Sequence, residues 1–484
     1  MNWETVIGIE VHAELMTESK VFCGCRTDFG ASPNSQVCPV CLGMPGVLPV
    51  LNRKAVEYCM KAALALNCTV SGRTKFDRKN YFYPDLPKAY QISQYDMPIG
   101  RNGYMDIEVD GKVKRIRIRR VHLEEETGKL VHAGDDITSA ASSMIDFNRC
   151  GIPLIEIVSE ADMRSADEAK AYLAKLRSIL LAVAVSDCKM EEGSMRCEAN
   201  VSVRPEGSTE LGSLTEMKNI ASFKAVYKAI EFEAKRQAAV LEAGGRVRRE
   251  TRHWDDAKSE TVFMRSKEQS HDYRYFPEPD LVPLEIDEEW VDNVRGSIPE
   301  LPDQKKARYV SELGIGPREA SLISQDVDVS CYFERALLAG AEPKTLANWV
   351  TGELAAALNA SGRDASSCPV TPEAMAELLD MLNKGEISGK TAKEVFAEAF
   401  GDGGSPRKIV EAKGLGQISG DDELRKAAVG VIGANPGPVS DYLGGKDAAL
   451  TFLVGQLMKA TRGRANPKMA NEILRQELEG LKEK

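Results

Sequence analysis

Polar and apolar residues alternate cleanly from Val6 to Leu15. A period of two predicts a strand with Glu10, His12 and Glu14 on one face and Ile7, Ile9, Val11, Ala13 and Leu15 on the other. Similar alternation over Lys112–Leu123 and Arg196–Val203 predicts two more strands. Helical spacing marks Asp167–Leu181 and Phe223–Leu241, the latter stopped by Gly244-Gly245. No Pro/Gly/Ser-rich linker divides this region, so residues 1–294 are predicted to form one α+β domain around a large mixed sheet.

The pattern changes near Ser297-Ile-Pro-Glu-Leu-Pro302, after which strand periodicity vanishes. Thr371-Pro372 followed by Met375, Leu378, Leu379 and Leu382 predicts a capped amphipathic helix ended by Gly385. A second break at Gly401-Asp-Gly-Gly-Ser-Pro406 closes an all-helical domain over 295–404 and opens a small helical tail over 405–484. In the tail, Leu450, Leu453, Val454, Leu457 and Met458 share a helical stripe. Behind it comes a basic turn carrying Lys459, Arg462, Arg464 and Lys468.

Composition narrows the class. At 484 residues and 43% hydrophobic content the chain can build several ordinary cores. The strongest apolar run, Ile179–Val185, is too short to span a bilayer, and no secretory signal opens the chain, so a cytoplasmic protein off the membrane is expected. A net charge of -10 argues against coating nucleic acid wholesale, but a local basic patch such as the tail turn can still grip RNA. Eleven cysteines, an odd number without a signal, argue against a disulfide framework.

Four of those cysteines form two tight pairs, Cys23-Gly-Cys25 and Cys38-Pro-Val-Cys41, twelve residues apart. This spacing can set four thiolates around Zn²⁺, and four thiolates leave no open coordination position, so the zinc would be structural. Free or buried thiols are the plain alternative.

The polar face of the first strand has counterparts. Arg120-Val-His122-Leu-Glu124-Glu125-Glu126 ends one strand in acids, and Arg196, Glu198, Asn200 and Ser202 share a face of another. For one strand alone, a solvated face explains the pattern. Three such faces in one sheet would crowd carboxylates that need a cation, and hard oxygen ligands together with phosphate suit Mg²⁺. The aromatic-basic stretch Asp77–Tyr90 offers Lys79 and Lys88 as phosphate partners, or is a packed Pro-rich turn. Gly385-Glu-Ile-Ser-Gly389-Lys390-Thr391 is one residue short of a P-loop and has no strand before it.

Long stretches of the chain closely resemble the B subunits of the bacterial aspartyl/glutamyl-tRNA amidotransferase, GatCAB. They are Ile7–His12, Val37–Gly46, Lys75–Gln94, His122–Glu125, Met190–Ser202, Glu216–Asn219, Ser222–Lys224, Asp272–Asp280 and Met458–Pro467. The resemblance implies a cradle-shaped catalytic domain, a helical domain and a tail that helps hold tRNA. It implies Asp-tRNA(Asn) and/or Glu-tRNA(Gln) as substrate, ATP and Mg²⁺ for phosphorylation of the misplaced carboxylate, and ammonia from a glutaminase. The partners it implies are that glutaminase A subunit and a small C subunit, in a heterotrimer. Carried onto this chain, it implies Glu10, His12 and Glu125 as Mg²⁺ ligands and Lys79 as the phosphate partner. Lys88, Glu124, Glu198, Asn200 and Glu216 are implied around the nucleotide and metal. Two rival readings are a non-catalytic, zinc-stabilised tRNA scaffold and a free-standing ATP-dependent kinase or ligase acting on a small carboxylic acid.

Overall fold

The computed structural model describes residues 2–132, 142–266, 272–416, 421–461, 465 and 467–482. Its first compact unit, Met1–Leu301, is built on a nine-stranded sheet. In chain order the strands are β1 (Trp3–Glu14), β2 (Thr69–Val70), β3 (Gly100–Val109), β4 (Lys112–Glu125), β5 (Pro153–Ser159), β6 (Met195–Pro205), β7 (Thr215–Ile220), β8 (Glu250–Asp255) and β9 (Glu260–Ser266). Across the sheet they run β9-β8-β7-β6-β1-β5-β4-β3-β2, so β1 is the central strand. Among these described strands only β7 and β8 pair in parallel; the other neighbours are antiparallel. The fold is α+β with a large mixed sheet, as the periodicity predicts.

Helices α1 (Arg53–Ala65), α2 (Ala166–Ala182) and α3 (Phe223–Glu242) pack against this sheet. Their starts are specified locally. The side chains of Asn52, Ser165 and Ser222 accept hydrogen bonds from backbone N–H groups of the first turns. Ile7, Ile9, Val11 and Ala13 of β1 are buried in one core with Met60, Leu173, Leu176 and Ile230 from the three helices. The alternation of β1 therefore commits its other face, with Glu10, His12 and Glu14, to the far side of the sheet.

The second unit, Pro302–Lys484, contains helices and, among the described residues, no strand. The helix Pro372–Asn383 starts where expected, with Thr371 accepting from Ala374 N–H, and Gly385 takes a left-handed φ of +72° just beyond it. Ser388 caps the next helix, Gly389–Asp402, so the Gly385–Thr391 stretch is an interhelical turn and not a phosphate loop. Buried side chains form two clusters here, one from Tyr309 to Val410 and one from Leu424 to Leu478. No described helix is long and apolar enough to cross a membrane.

Candidate active site

Antiparallel register sets four side chains in a row across the polar face. His122 on β4 faces Glu156 on β5, Glu156 faces His12 on β1, and His12 faces Arg196 on β6. His12 Nε2 lies 3.6 Å from Glu124 Oε1 and 3.4 Å from Glu156 Oε2. His122 Nε2 lies 3.5 Å from the second Glu124 oxygen and 3.4 Å from Glu156 Oε2. Two imidazoles and two carboxylates thus share one buried knot, fixed further by Ser93 Oγ donating to Glu124 Oε2 at 3.0 Å. His122 Nδ1 is buried without a hydrogen-bond partner.

The charges of the knot follow from its burial and pairing. Burial works against a charged His12, but the hydrogen bond and field of Glu156 raise its pKa to about 9, so without a metal the ring is protonated at neutral pH, and a metal on Nε2 would displace that proton. Burial would raise the Glu124 and Glu156 carboxyls, yet His122 and the neighbouring cations hold both below the usual range. Glu10 is raised by burial and by Glu156 and Glu198, and Asn200 Nδ2 donates to it at 2.8 Å. Glu14 is pushed to about 7 by burial and by Glu126.

The remaining polar residues extend the same face. Lys218 Nζ sits 2.6 Å from both oxygens of Glu198 and 3.9 Å from Glu216. Thr251 donates to Glu216 at 2.8 Å. Glu10, His12, Glu124, Glu156, Glu198 and Glu216 all line one cleft of about 790 Å³, with Lys79 on its wall. Burial disfavours the charge of Lys79, but Glu124 and other neighbours raise its pKa above the usual lysine value.

Two expectations need correction. Glu125 does not join His12 and Glu10, because its side chain lies on the opposite face of β4 from His122 and Glu124. It is bonded to Lys88 and accepts from Ile92 N–H at 2.9 Å. Lys88 is thereby turned away from the cleft and into a small cavity of about 90 Å³ beside Cys23 and Cys41. Glu124 takes the place expected of Glu125. Glu156 and Lys218 are site residues that sequence reading missed; the only signal for Glu156 is a lone acid inside the apolar run Pro153-Leu-Ile-Glu-Ile-Val-Ser159.

Among the described residues, two groups of side chains could hold a metal ion. One ligand atom from each of His12, Glu124 and Glu156 lies within 4.8 Å of the others. An octahedral Mg²⁺ shell has ligand separations of about 2.9 Å for cis and about 4.2 Å for trans pairs, and the two His12 distances, 3.6 and 3.4 Å, lie between them. The Sγ atoms of Cys23, Cys25, Cys38 and Cys41 also gather within 4.8 Å, against roughly 3.8 Å between sulfurs of a regular ZnS₄ tetrahedron. Cys41 Sγ accepts from Cys38 N–H at 3.2 Å and lies 3.6 Å from the fully buried Lys20 Nζ. The Cys23 hydrogen bond, helped by these donors, lowers the Cys41 thiol to about 4. The four thiols are compatible with zinc, and His12, Glu124 and Glu156 form a group that could hold a metal ion.

In the tail, Lys459 lies exposed in the last turn of the helix Ala448–Ala460, and Lys468 is exposed near the start of Pro467–Lys482. Arg462 and Arg464 lie outside the described residues.

Residues 5–292 match the family model described as the GatB/GatE catalytic domain, and residues 331–478 match the GatB domain. The chain is 56% identical over 478 residues to the B subunit of the aspartyl/glutamyl-tRNA(Asn/Gln) amidotransferase of Thermoanaerobacter sp., covering 99% of this chain and 100% of that one. It is 55% identical over 479 residues to the protein of the same name from Carboxydothermus hydrogenoformans, covering 99% of each. For the one from Geobacter sulfurreducens the identity is 54% over 481 residues, covering 99% of this chain and 100% of the relative.

Proposed function

Since the chain belongs to the family of aspartyl/glutamyl-tRNA(Asn/Gln) amidotransferase B subunits, we propose that it carries the ATP-dependent amidation of misacylated tRNA in its sheet cleft. The substrate is Asp-tRNA(Asn) and/or Glu-tRNA(Gln). The enzyme is a carbon–nitrogen ligase using glutamine as amido donor, a cytoplasmic heterotrimer of this chain with a glutaminase A subunit and a small C subunit. Residues 1–294 are the catalytic domain, 295–404 a helical domain and 405–484 the tail, where Lys459, Arg462, Arg464 and Lys468 contact the tRNA backbone.

The chemistry needs two displacements. A side-chain carboxylate oxygen of the substrate attacks the γ-phosphorus of ATP and ADP leaves, giving an acyl phosphate. Ammonia then attacks the acyl carbon, phosphate leaves, and a proton from nitrogen is lost. His12, Glu124 and Glu156 would hold Mg²⁺, which when bound offsets phosphate charge. Lys79 supplies a fixed positive charge to the transferred phosphoryl group. Glu10, which lines the same cleft with Asn200 donating to it, would be a further Mg²⁺ ligand, and Glu198, Lys218 and Glu216 form a second charged cluster for nucleotide or metal. Cys23, Cys25, Cys38 and Cys41 hold structural zinc away from the reaction.

The single observation behind this reading is the convergence of His12, Glu124, Glu156 and Lys79 in one cleft. A complete assay tests it, with the chain and its partner subunits, misacylated tRNA, glutamine, Mg²⁺ and labelled ATP. Amide should form on the tRNA with the wild type and be lost in Glu156→Gln with the complex intact. No amide on either tRNA would sink the proposal and return the scaffold and small-molecule readings.

A further inference from the structure

The cleft holds a second kind of chemistry beside its charges, a continuous row of four tyrosines. Tyr81 and Tyr273 meet edge to face with ring centroids 6.0 Å apart, and Tyr273 and Tyr275 do so at 6.2 Å. Tyr275 then stacks on Tyr95 at 4.4 Å with 18° between the ring planes. Tyr81, Tyr273 and Tyr275 line the cleft, and Tyr95, 55% exposed, carries the row to the surface. At the inner end sits the Lys79 ammonium, 5.3 Å from the Tyr273 centroid and 6.0 Å from that of Tyr81.

The row is held by strained backbone. Arg274, between Tyr273 and Tyr275, has a φ of +44°, in the left-handed region that side chains disfavour. Its neighbours enforce that conformation. Asp272 accepts from Arg274 N–H at 2.9 Å, and Asn80 donates from Nδ2 to Arg274 C=O at 2.8 Å and from its backbone N–H to Tyr273 C=O at 2.9 Å. Asn80 follows Lys79, so the short strand Asp77–Asn80 that carries the buried lysine also fixes the tyrosines. Strain over-determined by its surroundings is characteristic of ligand clamps.

A rigid aromatic wall with a cation at its end suits a molecule that is a flat base at one end and anionic or acylated at the other. Both substrates of the reaction proposed above contain such a unit: the adenosine of ATP and the 3′-terminal adenosine of tRNA, whose ribose carries the amino acid. We propose that Tyr81, Tyr273, Tyr275 and Tyr95 form the adenine-stacking platform of the cleft. This rests on the amidotransferase reading of the site. A base stacked there directs its phosphates, or its ester, toward Lys79 and the His12–Glu124–Glu156 knot.

The assembled complex tests the platform with two probes, ATP and deacylated tRNA. The affinity of each is measured by calorimetry for wild type, Tyr275→Ala and Tyr275→Phe, alongside KM and kcat for ATP and for misacylated tRNA. Base–aromatic stacking predicts that Tyr275→Ala weakens one probe by about tenfold or more. Tyr275→Phe, which keeps the ring, stays within about twofold. A change for ATP assigns the platform to the nucleotide, and a change for tRNA assigns it to the terminal adenosine. Tyr95→Ala, at a half-exposed position, must weaken the same probe, and it decides alone if Tyr275→Ala does not assemble. Unchanged affinity for both probes, equal loss in the Phe and Ala variants, or a fall in kcat alone would overturn the platform. The binding arms need no turnover. If wild type makes no amide yet Tyr275→Ala still loses ATP or tRNA, the reaction assignment fails and the platform stands.

Discussion

His12 and Glu156 face each other on adjacent antiparallel strands, with Nε2 3.4 Å from Oε2, at the centre of the sheet's polar face. Glu156 is also shared with His122 and lies 3.7 Å from Arg120. Replacing it by glutamine keeps the shape but removes one anionic ligand from the set with His12 and Glu124. Metal-assisted phosphoryl transfer draws several kcal/mol from its ion, so Glu156→Gln should lower kcat for amide formation by roughly a hundredfold or more. Mn²⁺, which accepts nitrogen ligands more readily than Mg²⁺, should support wild-type turnover and bind the variant more weakly. Equal Mn²⁺ affinity in wild type and variant would remove Glu156 from the ligand set.

The neighbouring acids Glu124 and Glu125 should behave oppositely. Glu124→Gln should lose metal binding. Glu125→Gln should leave Mn²⁺ affinity within about threefold but destabilise the fold, because it strands the buried charge of Lys88. Breaking one half of a buried pair costs about 3 kcal/mol, and removing both halves costs much less. Denaturant unfolding should therefore show Lys88→Met/Glu125→Leu recovering most of the loss. A Glu125→Gln protein of wild-type stability would contradict this division of roles.

Those two acids also show where the sequence is legible and where it is not. The alternation of β1 sets the core face and the site face correctly, since Ile7, Ile9, Val11 and Ala13 are buried. The same parity, carried from His122, puts Glu124 and Glu126 on the cleft and turns Glu125, the acid carried over from the family resemblance, to the other face. Glu156 is hidden because β5 is a central strand, apolar on nearly every position, where one acid reads as an interruption. The tyrosine row is illegible for a different reason. Tyr81, Tyr95 and Tyr273 are brought together by register between distant segments, Phe276 pairing with Arg78 and Arg78 with Ile92, which no local pattern encodes.

The zinc cluster should be a stability element. Chelation or Cys41→Ser should release one zinc per chain and lower the melting temperature of the sheet unit, because ligand assembly and folding are linked. Lys20, fully buried with its ammonium 3.6 Å from Cys41 Sγ, offsets the thiolate charge. Lys20→Met should weaken zinc retention by about ten- to hundredfold, the range for partners that support metal ligands. Metal analysis with competitive chelators reads both effects. Stoichiometric zinc in Cys41→Ser would exclude the four-cysteine site.

Acid sensitivity should come in part from Glu233 on α3, far in sequence from the site acids and fully buried. Its carboxylate joins the helix to the sheet edge, accepting from Arg236 at 2.6 and 2.9 Å, Gln237 at 2.9 Å and Thr261 at 2.8 Å, with Arg252 3.7 Å away. Burial would raise its pKa, but the Arg236 hydrogen bonds and the other donors bring it below the usual value. A carboxyl whose pKa is lower in the folded state contributes stability above the unfolded value, about 4.3, and loses it as pH falls through the folded value. Glu233→Gln should thus be less stable than wild type by about 3 kcal/mol at pH 7, since two arginines lose their counter-charge. Other carboxylates titrate in both proteins and cancel in the comparison. The gap between the two, measured by denaturant unfolding, should stay constant above about pH 5 and narrow toward pH 3. A gap that widens on acidification would mean that the carboxyl of Glu233 has a higher pKa in the folded protein than in the unfolded chain.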